Sequence, residues 1–288
     1  MPTRRVMVTG AAGQLGGVIC EQFGGGHDDY DVTALTRADL DLTDHDAVQR
    51  AVHDTQPGLI INCAAYNRVD DAEDDAVAAL AVNAFAVRSL ARAATRVGAI
   101  LVHYSTDFVF DGTAGVPYTE ADEPNPGNVY GSSKLIGEWF ALDVPSAYVI
   151  RVESLFGGSP ARSSVDWIID AILGRREVRV FTDRIVSPSY VHDVARATRS
   201  LVESDAATGL FHCVNSGHGT WWEVAEEIAR QVGAEPRLVP ASLETARLRA
   251  ARPRYCALSN AKLSAAGVAL KSWQDALRRH LRSRRSVD

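Results

Sequence analysis

The sequence predicts an α/β fold: a doubly wound parallel sheet with a smaller α/β subdomain interleaved with it. Three observations carry this. Short β-rich runs alternate with amphipathic helical stretches over the first two-thirds of the chain, the pattern of a parallel sheet covered on both faces by helices. The strand runs are near-continuously apolar, as strands buried on both sides are. A glycine-spaced turn, Thr9-Gly10-Ala11-Ala12-Gly13-Gln14-Leu15-Gly16, stands between the first strand and the first helix.

In order, the first strand covers 6–9 and the helix after the turn 14–23. A second strand follows at 32–35, then a helix over 44–54 opened by a Thr43/Asp44 cap signal. The third strand is 59–63, and one long Ala-rich helix covers 75–97. After the fourth strand, 100–104, a loop rich in Gly, Pro and acids (111–127) leads to a helix over 129–142 and a fifth strand at 147–151. Beyond residue 157 the pattern is less regular. It reads as a helix over 164–173, short strands at 178–181 and 185–186, a helix from His192, a strand at 210–214 and a helix over 220–232. No repeat and no clean linker divides the chain.

With 288 residues and 46% hydrophobic composition, the chain can bury a sizeable core. Its net charge of −6, with no strongly basic half, argues against a nucleic-acid partner. The arginines between 278 and 285 follow a Trp273/Leu277/Leu281 spacing and read as the solvated face of a last helix. Cys20, Cys63, Cys213 and Cys256 form no CxxC pair and none stands at zinc-ligand spacing from a histidine. Reduced thiols and no metal are expected. His192-Asp193 reads as a helix cap and surface pair. The N-terminus runs into a strand without a charged leader, and no apolar run of spanning length is evident, so a cytoplasmic protein with no membrane partner is expected.

Glycines in the first turn let the backbone approach a pyrophosphate, and the following helix N-terminus supplies free N–H groups and partial positive charge. Nucleotide binding on a Rossmann-type sheet follows from that turn in its strand–turn–helix setting. The end of the second strand, Leu35-Thr36-Arg37-Ala38-Asp39, offers a hydroxyl and a guanidinium first, which suit the 2′-phosphate of NADPH. Asp39 keeps NADH open. Residues 1–156 are therefore assigned to the dinucleotide-binding domain, with part of 185–205 returning to it, and 157–288 mainly to substrate binding.

Tyr130-Gly131-Ser132-Ser133-Lys134 places a phenol and an ammonium four residues apart on one helix face. A cation near a phenol stabilises the phenolate, lowering its pKa and fitting it for proton transfer near neutrality. With 8 tyrosines and lysine only at 134, 262 and 271, chance produces well under one such pair. At the end of the fourth strand, His103-Tyr104-Ser105-Thr106-Asp107-Phe108 sets two hydroxyls where ligands of doubly wound sheets lie. There is no HExxH, no GxSxG and no GxxxxGK[ST].

These motifs, in this order, resemble the extended short-chain dehydrogenase/reductase family, and within it the dTDP-4-dehydrorhamnose reductase branch. The resemblance runs through GAAGQLG, DLTD from Asp41, PGLIINCAAYNRVDDAE from Pro57, Val82-Asn83, STDFVFDG from Ser105, PGNVYGSSKLIGE up to Glu138, RPRYCALSNAKL from Arg252 and GVALKSW up to Trp273. It implies hydride transfer from a nicotinamide to C4 of a nucleotide-linked 6-deoxy-4-keto sugar. In those roles Tyr130 is the proton donor, Lys134 holds the nicotinamide ribose, and Thr106 is the third catalytic hydroxyl, with Ser105 beside it. Gly10, Gly13, Gln14, Leu15 and Gly16 would line the pyrophosphate, Asp41 and Leu42 the adenine, and Ala64, Ala65 and Tyr66 the ribose and nicotinamide. Ser105, Thr106, Phe108, Ser154 and Arg252 would face the sugar.

The chain departs from the family pattern on the sugar side. Phe108 stands where the family has Tyr, Arg151-Val152-Glu153-Ser154 where it has an Arg-Thr-Ser-Trp-like run, and Asp183-Arg184 where it has Asp-Gln. A non-catalytic NADP-binding regulatory subunit resembling that of methionine adenosyltransferase and a sugar-nucleotide epimerase are the alternatives. A dehydratase is disfavoured, because Asp107 is followed by Phe108 rather than by an acid. A monomer or a homodimer fits equally.

Overall fold

The computed structural model describes residues 3–25, 29–204 and 206–285. Successive elements are β1 (Arg4–Thr9), α1 (Gln14–Gly24), β2 (Tyr30–Leu35), α2 (His45–Thr55), β3 (Leu59–Asn62), α3 (Val69–Asp74), α4 (Ala76–Leu80), α5 (Ala86–Val97), β4 (Ile100–Thr106), α6 (Val129–Leu142) and β5 (Ala147–Val152). Strand Gly209–His212 joins them in a six-stranded sheet of order Gly209–His212, β5, β4, β3, β1, β2. Every pairing is parallel.

The two-residue alternation of the strands explains why both faces are apolar. Val6, Val8, Ile61, Val102 and Ile150 point to one face, where α1 and helix Val191–Glu203 supply Ile19, Phe23, Val194 and Leu201. Met7, Ile60, Leu101 and Val149 point to the other, against Val48 and Val52 of α2 and Val87, Leu90 and Ala94 of α5. The return of the chain to this sheet thus extends through strand Gly209–His212. A separate core joins helices Ser164–Leu173, Trp221–Val232 and Trp273–Arg285. These pack with the parallel pair Glu177–Phe181 and Arg237–Ala241.

Four expectations are corrected. The helix over 75–97 carries a π-helical turn at Ala81–Phe85, and Asp75 caps α4 by accepting from Ala78 N. Ala76–Val97 is, by length and composition, apolar enough to cross a membrane; its packing under the sheet accounts for that apolarity. Asp193 is buried, not a surface cap: it accepts from Arg279 Nη1 at 2.8 Å and from Asn215 Nδ2 at 2.7 Å. The C-terminal arginines are accordingly not all solvated, since Arg284 also bonds Asp166 and Asp170. A buried carboxylate needs such partners, because desolvation without them costs several kcal/mol.

Candidate active site

The carboxyl ends of the central strands open into one cavity of about 980 Å³. Its walls bring together Gly10, Gly13, Gln14, Leu15 and Gly16 after β1, Arg37, Asp41 and Leu42 after β2, Ala64, Ala65 and Tyr66 after β3, Ser105 of β4, and Tyr130 and Lys134 of α6. Thr106, Phe108, Ser154 and Arg252 do not line it.

The turn is built for close approach. Gly10 has φ +71°, and a Cβ there would stand 2.6 Å from Ala64 N. No side chain caps α1 at Gly13, which leaves the first-turn N–H groups to an anion. Gln14 Nε2 is buried without a partner among the described residues. At the far end Arg37 is exposed, while the Asp39 carboxylate accepts from Thr36 N at 2.9 Å and Thr36 Oγ1 at 2.7 Å. Asp39 is thus engaged in its own turn. Asp41 likewise accepts from Thr43 N and Thr43 Oγ1, and its backbone region forms wall. A bare helix end, an orphaned amide and an exposed guanidinium fit a dinucleotide carrying a 2′-phosphate.

At the catalytic end, Asn128 caps α6 by accepting from Gly131 N at 2.7 Å. Gly131 permits the contact of α6 with the turn after β4: a Cβ there would stand 2.2 Å from Phe108 O. Tyr130 meets Phe108 edge-on, with ring centroids 5.6 Å apart, and its hydroxyl lies beside Thr106. Lys134 Nζ donates to Tyr104 O at 2.6 Å and lies 3.5 Å from His103 Nε2. Burial pushes Lys134 down to about 8 and holds His103 well below its ordinary value. The expectation that Lys134 lowers the Tyr130 pKa is corrected: burial dominates and pushes the phenol up to about 12. Tyr130 therefore keeps its proton through the neutral range and is set as a donor.

Ser105 Oγ is buried without a partner among the described residues and lines the cavity, so the two hydroxyls of the Ser-Thr pair differ: Ser105 faces the cavity and Thr106 lies beside Tyr130. Among the expected sugar-side residues, Phe108 packs on Tyr130, and Arg252 donates to Asp70 Oδ2 at 2.8 Å with its guanidinium 5.7 Å from the Phe108 ring centre. Ser154 has φ +43°, and its carbonyl accepts from Ser189 N at 3.3 Å.

A family model described as the RmlD substrate binding domain matches residues 4–286. The chain belongs to the RmlD family. It is 37% identical over 279 residues to dTDP-4-dehydrorhamnose reductase of Mycolicibacterium smegmatis, covering 95% of this chain and 84% of that one. It is 34% identical over 284 residues to the spore coat polysaccharide biosynthesis protein SpsK of Bacillus subtilis, covering 98% and 99%. The crystal structure of dTDP-4-dehydrorhamnose reductase from Bacillus anthracis in complex with NADP superposes with a TM-score of 0.92 at 34% identity, covering 98% and 99%.

Within this RmlD-family site, sequence reasoning missed the support of α6. Asn83, at the π-helical turn, accepts from Tyr66 N at 2.8 Å and donates to Tyr66 O at 2.9 Å and Ser133 Oγ at 2.9 Å. It ties the loop after β3 to α6, and π turns recur at functional sites for this kind of reason. An Asn in an Ala-rich helix was the available signal. The departures at Phe108, Glu153 and Arg184 also come together, with the Arg184 guanidinium 5.3 Å from the Phe108 ring centre and beside Glu153.

Proposed function

We propose that this chain reduces the C4 ketone of a dTDP-linked 6-deoxy-4-keto sugar with NADPH, the dTDP-4-dehydrorhamnose reductase reaction. The observation that carries the reading is the continuity of one cavity from the Gly10–Gly16 turn to Ser105, Tyr130 and Lys134. Residues 1–156 hold the cofactor, and 157–288 mainly the sugar nucleotide, in a cytoplasmic enzyme that is a monomer or homodimer. The four free cysteines suit a reducing compartment.

When bound, the nicotinamide supplies the hydride. The chain's own part is protonation and orientation. Tyr130 donates its hydroxyl proton to the oxygen that becomes the C4 hydroxyl, and Ser105 donates a second hydrogen bond to that oxygen. Thr106 fixes the phenol. Lys134, held by the Tyr104 carbonyl, presents its ammonium to a ribose hydroxyl. Such pre-aimed donors lower the barrier because they need no reorganisation as charge develops.

The test is NADPH consumption, followed by nicotinamide absorbance, with dTDP-4-keto-L-rhamnose generated in place. Consumption with dTDP-rhamnose as product is expected; NADPH binding without consumption would sink the sugar assignment. Cofactor choice has its own test. Arg37→Ala removes a charge-assisted contact worth about 1.5–3 kcal/mol, so the NADPH Kd should rise roughly 10- to 100-fold while the NADH Kd stays unchanged. Equal weakening of both in a titration would remove Arg37 from the 2′-phosphate.

A further inference from the structure

Behind Thr106, away from the cavity, lies a buried group of charges that the reaction as described does not use. Asp107, Glu153 and Cys256 are each at most 3% exposed, and one ligand atom of each lies within 4.8 Å of the others. Thr106 Oγ1 donates to Asp107 Oδ1 at 3.0 Å. Glu153 Oε2 accepts from Ser187 N at 2.6 Å. The second oxygen of each carboxyl, Asp107 Oδ2 and Glu153 Oε1, is buried with no partner among the described residues.

One cation serves the two acids. Arg184 lies near both carboxyls, with its Nε buried and without a partner among the described residues, and donates from Nη2 to Cys256 Sγ at 3.7 Å. The Cys256 thiol donates to Pro253 O at 3.3 Å and is held protonated by burial. Tyr130 faces Asp107, and Tyr255 faces Glu153; Arg252 is turned to Asp70. Two carboxylates with one guanidinium would leave a net negative charge out of water, and like charges this close disfavour the doubly ionised state at rest. A single proton between them removes that charge and gives the orphaned oxygens a donor. Burial agrees with this, raising Asp107 to about 6, and burial together with the charge of Asp107 raises Glu153 well above its ordinary value.

We propose that Asp107 and Glu153 share one proton and that this proton, passed through Thr106, restores Tyr130 after it has protonated the substrate oxygen. In that step the Thr106 hydroxyl turns from Asp107 Oδ1 to the Tyr130 phenolate, and its O–H breaks as a new O–H forms on the phenolate. The Asp107 O–H breaks as the Thr106 hydroxyl is remade. The negative charge moves from the phenolate to the carboxyl pair beside Arg184, and water returns the proton by the same path when the cavity empties. Tyr130 is thereby recharged before product leaves. Glu153 never touches substrate: it is a positioning residue that keeps a proton on the pair. The relay rests on the reductase reading above; the shared proton does not.

The experiment compares the wild-type chain with Glu153→Gln, in which Asp107 becomes the sole partner of Arg184 and ionises. Infrared spectroscopy of the protein without substrate or cofactor, at neutral pH, should show a protonated-carboxyl stretch in wild type that disappears in Glu153→Gln. Its outcome is independent of which sugar is reduced. In the NADPH assay, Glu153→Gln should lose roughly tenfold or more in kcat with KM for both substrates little changed. It should also lose the alkaline fall in kcat that the wild type shows as the pair gives up its proton. No protonated carboxyl in the wild type, a stretch that survives in Glu153→Gln, or stoichiometric zinc bound by the purified protein would overturn the shared proton. The predicted infrared change with unaltered kcat and pH profile would overturn the relay. The wild-type spectrum decides the first point even if the variant folds poorly.

Discussion

Tyr130→Phe is expected to lower kcat by about two to four orders of magnitude while leaving the NADPH Kd within about threefold. The substitution removes one oxygen and little packing. The ring remains edge-on to Phe108, and α6 keeps its Asn128 cap. Thr106 retains Asp107 as a partner. What disappears is the neutral phenol that burial has set at about 12. A donor with a pKa that high holds its proton well above neutral pH, so ionisation of Tyr130 itself does not limit the wild type until strongly alkaline solution. Stopped-flow single-turnover measurements separate the chemical step from release, and fluorescence titration gives the Kd. Retained turnover would assign protonation to another group, and Ser105, the unpartnered hydroxyl on the cavity wall, would be the next to replace.

The parts of this site legible in the sequence are those written locally. The turn after β1 needs its glycines at fixed offsets, and Tyr130 and Lys134 share a helix face because they are four residues apart. Both signals survive without knowledge of the fold. The charges at Asp107, Glu153 and Arg184 carry no such spacing. They come from the end of β4, the end of β5 and a segment of the second half, and only the folded chain shows that they share one buried volume. Read singly, each is an ordinary polar residue near a strand end. Asp193 misled for the same reason, since its partner Arg279 is supplied by the last helix. The direction of the Tyr130 shift was also invisible: spacing reveals that Lys134 is near, whereas burial, which outweighs it, belongs to the tertiary structure. Asn83 was readable as an oddity in an Ala-rich helix, but its link from Tyr66 to Ser133 required the π turn to be seen.

The largest loss of stability is expected from Glu138→Gln. Glu138 lies one turn beyond Lys134 on α6, and Arg151 on β5 donates to it twice, Nε to Oε1 at 2.8 Å and Nη2 to Oε2 at 2.7 Å. Both side chains are 2% exposed. The guanidinium also lies 4.9 Å from the Phe110 ring centre and 3.4 Å from His212 Nε2. His212 is pushed down to about 3 by burial and by Arg151, so it stays neutral and supplies no compensating charge. Neutralising Glu138 leaves a buried cation without its carboxylate, at a cost of about 3–5 kcal/mol, and calorimetry should show Tm falling by roughly 10 °C. Replacing both partners by apolar residues, Glu138→Leu with Arg151→Met, removes the stranded charge and should recover most of the loss. The pair also bolts α6 to the sheet. In Glu138→Gln the KM for NADPH should therefore rise, since Lys134 is aimed by the seating of α6 on β4. A double variant as unstable as the single one would show that Glu138 acts through packing, and the ion pair would lose its place as the anchor of α6.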